Sequence, residues 1–200
     1  MSHTLHPIHE IDPTLIAPMA KLHESALHGL LSEMGYPFVY RYFHLCMEDP
    51  SVIGFYALSE TGDLIGYVNG TPKPGELNSR MTRPLTWFAW QCLRLLFTRP
   101  RVLWQAVVSS LTISKKMTEE PGAIEVVYMS VDPKARGQGL GRILMQAFHD
   151  AAREAGYKRV TGSQELDNKV GIDLLYSMGY RVKYLFREGG YDRQRIELIL

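Results

Sequence analysis

The stretch of sequence that decides the fold is Val131-Asp132-Pro133-Lys134-Ala135-Arg136-Gly137-Gln138-Gly139-Leu140-Gly141. The segment before it, residues 124–131, is apolar and rich in β-branched residues, which predicts a strand. After it, apolar residues recur at steps of three and four as far as Ala155, which predicts a helix. The three glycines leave the backbone uncovered where this helix begins. Unpaired N–H groups and the helix dipole converge at such a place, which favours an anion and most often a phosphate.

Two common phosphate-binding motifs do not fit this loop. A dinucleotide fingerprint needs a glycine three positions after Gly139, where the chain has Arg142. A P-loop needs a glycine five positions after Gly137, and Arg142 occupies that place as well. The pattern that remains is a strand followed by Arg136-x-x-Gly139-x-Gly141.

In this pattern the chain resembles the GCN5-related N-acetyltransferase (GNAT) superfamily, whose signature is R/Q-x-x-G-x-G/A. Residues 167–180 match a second family segment, N-x-x-A-x-x-L-Y-x-x-x-G-F, with Gly171 in place of alanine and Tyr180 in place of phenylalanine. The resemblance is clear for residues 123–187 and weaker for 8–71. Residues 72–118 match no motif of the family.

The resemblance implies one α/β domain over residues 1–200, with a mixed sheet and helices on both faces. Two hundred residues suit a single domain. Periodicity and turn signals predict the order β-α-α-β-β-β-α-β-α-β-β, with a helical insertion at 72–118 between the third and fourth strands. The first strand is expected at 8–11 and the fifth at 159–162.

The resemblance also implies acetyl-coenzyme A as co-substrate and no metal. Its pyrophosphate is expected on the glycine loop, its pantetheine arm beside the fourth strand, and its thioester carbonyl near a backbone N–H of 129–131. The expected binding residues are Met129, Ser130, Val131, Arg136, Gly137, Gln138, Gly139, Leu140, Gly141, Arg142, Asn168 and Tyr176. For Asn168, a simple helix N-cap is the structural alternative.

The expected activity is acetyl transfer to a primary amine of a small molecule or peptide, by direct attack in a ternary complex. Tyr176 matches the family tyrosine that protonates the departing thiolate, and an aromatic packed on an apolar helix face is the alternative. Glu125 is the expected proton acceptor, with Glu165 as its rival and a polar strand end as the alternative. A non-catalytic acyl-coenzyme A sensor on the same fold and a transferase of longer acyl chains remain open.

The insertion differs from the rest of the chain in charge and hydropathy. Eight basic residues stand against one acidic residue between Lys73 and Lys116. Residues 85–113 form two apolar runs separated by Pro100, each too short to span a membrane. Three interpretations stay open for this hairpin: packing against the sheet or a second subunit in a homodimer, a lid over the acceptor site, or a basic amphipathic face on a membrane. As a lid, it would place Arg80, Arg83 and Arg94 at the rim and favour an anionic acceptor.

Composition excludes several other classes of protein. A net charge of +1 gives no reason to expect nucleic acid as a partner. Two cysteines in apolar surroundings predict free thiols, and the N-terminus lacks the features of a signal peptide, so a cytoplasmic location is expected. The seven histidines show no metal-ligand spacing, and those at 3, 6 and 9 are expected near a frayed terminus.

Overall fold

A mixed seven-stranded sheet runs through the protein, whose computed structural model describes residues 3–116, 120–188 and 190–200. Its strands are β1 (His3–Pro7), β2 (Ile53–Ser59), β3 (Leu64–Thr71), β4 (Ala123–Val131), β5 (Arg159–Glu165), β6 (Arg181–Glu188) and β7 (Tyr191–Ile199). They lie in the order β1-β2-β3-β4-β5-β7-β6, and β4 and β5 form the parallel pair. The predicted mixed α/β architecture is confirmed.

Helices cover both faces of this sheet. They are α1 (Pro13–Ala26), α2 (Leu30–Met34), α3 (Tyr36–Glu48), α4 (Pro74–Met81), α5 (Leu85–Thr98), α6 (Pro100–Lys116), α7 (Leu140–Glu154) and α8 (Lys169–Ser177). Side chains of a strand alternate between its faces, so Tyr67 joins the core under α1 and α3, and its neighbour Val68 joins the core under α7. Phe43 fills the first core, and Phe148 fills the second.

Four details differ from the sequence-based expectation, one of which is that the short helix α2 lies between the two helices expected after the first strand. The first strand is His3–Pro7 rather than 8–11, and Ile8–Glu10 forms a short 3-10 helix, because Pro7 has no N–H with which to continue a ladder. His3 and His6 are therefore paired with β2 rather than frayed. The strand β5 extends to Glu165, and α4 precedes the expected hairpin, so the part of the insertion that the structure describes contains three helices.

A β-bulge and a divergence of strands shape the centre of the sheet. Asn69 pairs with Tyr128 and Gly70 with Val126, which leaves one extra residue in β4. The side-chain oxygen of Asn69 accepts the Tyr128 N–H at 3.2 Å and so fixes the bulge. The pairing between β4 and β5 ends at Val126 and Gly162, and beyond this point the two strands diverge. The result is a gap that opens within the sheet.

Gly70 allows the close approach on which this bulge depends. A Cβ atom at this position would overlap the carbonyl of Glu125 and lie 2.6 Å from the Phe148 ring. We expect Gly70→Ala to lower the free energy of unfolding by about 1–3 kcal/mol, since the backbone must shift to admit the methyl group. Urea denaturation measures this change.

The matched control is Gly75→Ala in α4, where a Cβ would meet nothing within 4 Å. This variant is expected to lose no stability, because alanine favours the helix. Equal denaturation midpoints for the two variants would contradict the role assigned to Gly70.

Candidate active site

A cavity of about 640 Å³ occupies the gap between β4 and β5. Its walls are residues 126–131 of β4 and 162–165 of β5. The loop before α7 and the first residues of α8 line its end on the face of the sheet that α7 covers. Ala26 at the end of α1 and the next two residues line its end on the opposite face, which α1 covers. Its size is that of an ordinary small-molecule site.

The glycine loop forms the end of the cavity at α7. Gly137 and Gly139 have φ values of +75° and +80°, in the left-handed region, and a Cβ at either would meet nothing within 4 Å. The hydrogen-bond ladder of α7 begins with Ile143 N–H donating to the carbonyl of Gly139 at 3.1 Å, and none of the side chains that the structure describes caps the helix at Gly139. The N–H groups of the first turn are therefore available to an anion.

The backbone of β4 lines the middle of the cavity. The N–H of Asp132 donates to Ile65 in β3 at 2.9 Å, so Asp132 directs its backbone groups toward β3. Since backbone groups alternate in direction along a strand, those of Met129 and Val131 point toward the gap. The Val131 carbonyl accepts a hydrogen bond from Arg136 Nε at 3.1 Å on this side. The cavity thus has a free strand edge along one wall.

Charged side chains gather at the end beside α1. Glu165 and Arg193 line the cavity and form an ion pair of 2.8 Å, and Arg193 also pairs with Glu188 at 3.0 Å. The loop after α1 lies directly over this pair, because a Cβ on Gly29 would be 3.6 Å from both Glu165 Oε1 and an Arg193 nitrogen. His28 lines the cavity from the same loop.

Two buried polar atoms of lining residues have no hydrogen-bond partner within the part of the chain that the structure describes. They are Ser130 Oγ and Arg193 Nε. Tyr128 also lines the cavity, and its hydroxyl keeps its proton at neutral pH because burial raises its pKa to about 12. Buried donors without partners are uncommon in folded proteins and are consistent with a site that a ligand completes.

The sequence profile of the acetyltransferase (GNAT) family matches residues 19–180. The chain belongs to the GNAT family of acetyltransferases. This membership makes it an N-acetyltransferase by class. No curated protein matches the chain in sequence at a significant level.

Solved structures similar to this one are GNAT enzymes with little sequence identity. The ribosomal-protein-S18-alanine N-acetyltransferase from Escherichia coli aligns with a TM-score of 0.62 at 13% identity, over 99% of this chain and 94% of that one. The PaiA N-acetyltransferase from Thermoplasma acidophilum, in complex with coenzyme A, aligns with a TM-score of 0.62 at 10% identity over 100% of both chains. A GCN5-related N-acetyltransferase from Kribbella flavida gives 0.60 at 18% identity, over 99% and 98%. At these identities the likeness establishes the fold alone.

Most of the residues expected to bind the co-substrate of a GNAT enzyme line the cavity. Two of the expected residues do not line the cavity. Gln138 is an exposed residue of the glycine loop, and Tyr176 lies on another face of α8. Asn168 lines the cavity and also caps α8, since its Oδ1 accepts the Gly171 N–H at 3.0 Å. The lining members of the expected set are Met129, Ser130, Val131, Arg136, Gly137, Gly139, Leu140, Gly141, Arg142 and Asn168.

The structure does not bring Tyr176 into the cavity. Its hydroxyl donates to Gln194 Oε1 at 2.8 Å, and its side chain is 43% exposed. Counted from Asn168, the position of the family tyrosine falls on Leu175, which is buried and lines the cavity. Tyr176 is one residue later, and one residue turns a helical side chain by about 100°. The expectation for Tyr176 therefore came from a match that is out of register by one position.

Glu125 is also absent from the cavity wall. Its two carboxylate oxygens accept hydrogen bonds from Arg195 at 2.7 and 2.9 Å, and both side chains are largely buried. Arg195 further binds the hydroxyls of Thr161 and Ser163. The rival acid Glu165 does line the cavity. Arg193 and His28, which the sequence analysis missed, carried no motif, because they reach the site only through the pairing of β7 with β5 and the loop after α1.

The insertion does not cover the cavity, since none of its described residues, 72–116, belongs to the wall. Arg80 pairs with Asp49 at 2.6 Å, and Arg94 bonds Gln91 and the carbonyl of Met34. Two of the three arginines expected at the rim are thus engaged in internal contacts. The expectation of a lid is wrong for this conformation. The expectation of an anionic acceptor rested on the arginines of that lid, so it loses its support.

A substitution at Gly139 tests the expectation that the glycine loop binds the pyrophosphate of coenzyme A. We expect Gly139→Ala to raise the dissociation constant of coenzyme A at least about tenfold, because the new methyl group projects into the space that the phosphate needs. Gly156→Ala is the matched control: Gly156 ends the same helix with φ +85° and equally open surroundings, but lies outside the cavity. Calorimetry that finds the same affinity for both variants would reject the assignment.

Proposed function

We propose that this protein transfers the acetyl group of acetyl-coenzyme A to a primary amine by direct attack in a ternary complex. The observation that carries the proposal is a single cavity with an anion-binding helix start at one end and a carboxylate at the other, joined along the open edge of β4. An arrangement of this kind holds the two reactants on opposite sides of one gap in the sheet.

Residues at the α7 end fit the co-substrate. The N–H groups of residues 137–142 would bind the pyrophosphate, with Arg136 and Arg142 beside it in the wall. The backbone groups of Met129 and Val131 would pair with the amides of the pantetheine arm, as an added strand would. Acetyl-coenzyme A supplies the activated acyl group, and the chain binds and orients it.

At the other end, Glu165 is our candidate for the group that takes the proton of the amine. The side chain is largely buried beneath the loop after α1, and Arg193 holds one of its oxygens. The amine nitrogen forms a bond to the carbonyl carbon while the carbon–sulfur bond breaks. Glu165 accepts the proton that the nitrogen loses, directly or through a water molecule, and the coenzyme leaves as a thiolate that takes up a proton from solvent.

The charge at this end favours a neutral or cationic acceptor rather than a carboxylate-bearing one. Glu165 and Glu188 share the single guanidinium of Arg193, so these three groups carry a net negative charge. A second amino group on the acceptor would be attracted to it. A thiol-release assay that compares diamines with amino acids of similar length tests this preference.

We expect Glu165→Gln to lower kcat by about 10²-fold or more and to leave the affinity for coenzyme A unchanged. Glutamine keeps the oxygen that Arg193 holds but cannot take a proton. Turnover is measured by thiol release with the best amine, and affinity by calorimetry. A loss of both turnover and affinity would indicate a structural role, and unchanged turnover would remove Glu165 from the mechanism.

Tyr176 is tested in the same way. Since its hydroxyl is held by Gln194 outside the cavity, we expect Tyr176→Phe to keep kcat within a few-fold of the wild-type value. A fall of about 10²-fold at unchanged affinity for coenzyme A would instead show that the tyrosine turns into the site and acts as the proton donor. If the wild-type protein binds coenzyme A but acetylates none of the amines tested, the alternative of an acyl-coenzyme A sensor is favoured.

A further inference from the structure

The outer face of α5 is apolar and exposed along its whole length. Leu85, Trp90, Leu93, Leu96 and Phe97 on this helix are each about half exposed or more, and Phe97 is 79% exposed. No charged residue interrupts this face. The opposite face supplies Leu95 to the core and packs Trp87 against Phe38. The helix therefore has two apolar faces, of which only one is covered within the chain.

The neighbouring helix α6 extends this surface and adds charge. Trp104 is 69% exposed, and Arg101 lies three residues before it on the same side of the helix. The hairpin face, defined as Leu85, Trp90, Leu93, Leu96, Phe97 and Trp104, is therefore bordered by a cation. A continuous exposed apolar surface that covers two helices is unusual in a monomer and marks a contact with another surface.

Charge decides which surface this is. From Leu77 to Thr118 the sequence contains seven basic residues and no acidic one. Three of the seven, Arg80, Arg94 and Arg99, also make contacts within the chain. Two copies that met through the same face of a symmetric dimer would bring cations against cations, with no carboxylate of the segment to offset them. Anionic lipid headgroups offset these charges, and tryptophan and phenylalanine beside basic residues are typical of helices that lie in a membrane interface.

We propose that the hairpin face of α5 and α6 docks on an anionic membrane surface. It lies on the surface rather than crossing it, since no helix in the described ranges is long and apolar enough to span a bilayer. The aromatic side chains enter the boundary between headgroups and acyl chains. Arg101 remains at the headgroup level.

The intrinsic fluorescence of the protein reports this event without a label, because its three tryptophans, Trp87, Trp90 and Trp104, all lie on α5 and α6. We expect vesicles of phosphatidylcholine mixed with phosphatidylglycerol to shift the emission to shorter wavelength and to co-sediment the protein. The protein is expected to bind vesicles of phosphatidylcholine alone more weakly. Added salt is expected to reduce the difference in affinity between the two kinds of vesicle.

Matched variants distinguish binding through the hairpin face from non-specific hydrophobic binding and from an effect of net charge alone. Phe97→Ser is expected to weaken binding at least about tenfold, whereas Leu185→Ser on the edge strand β6, where leucine is 66% exposed, is expected to leave it unchanged. Arg101→Glu is expected to weaken binding more than Lys21→Glu, which changes the net charge equally on α1. Circular dichroism confirms that each variant is folded.

Three results would overturn the proposal. The first is absence of binding to both kinds of vesicle, and the second is equal loss of binding in Phe97→Ser and Leu185→Ser. The third is a wild-type dimer in sedimentation velocity that Phe97→Ser converts to a monomer, since the face would then meet a second copy of the chain.

Discussion

The separation of β4 from β5 after Val126 and Gly162 is the constraint on which the rest of the site depends. A parallel pair normally continues its ladder, and here the bulge at Asn69 and Gly70 turns β4 away from its neighbour. The strand β5 keeps its pairing with β7 as far as Glu165, so the sheet divides rather than frays. Beyond this point the backbone groups of β4 on this side have no ladder partner in β5, and the Val131 carbonyl is bonded by Arg136 instead.

Two charged groups hold the divided sheet together on the side of β7. Arg195 ties β7 to β4 through Glu125 and to β5 through Thr161, at the place where the three strands are still adjacent. Arg193, two residues earlier on the same face, pairs with Glu165, where β4 has already diverged. Breaking a buried pair leaves an uncompensated charge, so Glu125 and Arg195 act as a fixed tie, whereas the pair beside the cavity is open to a ligand.

The sequence predicts the geometry of the glycine loop well and that of the opposite end of the cavity poorly, for physical reasons. The glycine loop is local: the strand 124–131, the glycines and the helix from Leu140 are contiguous, and their spacing determines their geometry. The opposite end joins the loop after α1, the end of β5 and the middle of β7, which only tertiary pairing brings together. Tyr176 shows that an alignment error of one residue is enough to assign the wrong side chain. Leu175 lines the cavity, whereas the Tyr176 hydroxyl bonds Gln194 outside it. Glu125 satisfied the position expected of a catalytic acid, but no motif marked its partner Arg195.

The insertion contacts the elements around the Glu165 end of the cavity without lining that cavity. Arg94 on α5 donates to the carbonyl of Met34, and Arg99 donates to the carbonyl of Glu33, so the hairpin holds the last turn of α2. The Glu33 side chain in turn accepts a hydrogen bond of 2.6 Å from Tyr191 at the start of β7. The helix α2 begins immediately after the loop that lies over Glu165 and Arg193. The inner face of the hairpin therefore fixes the position of that loop, and this internal role accounts for Arg94 and Arg99 but not for the apolar outer face of the same helix.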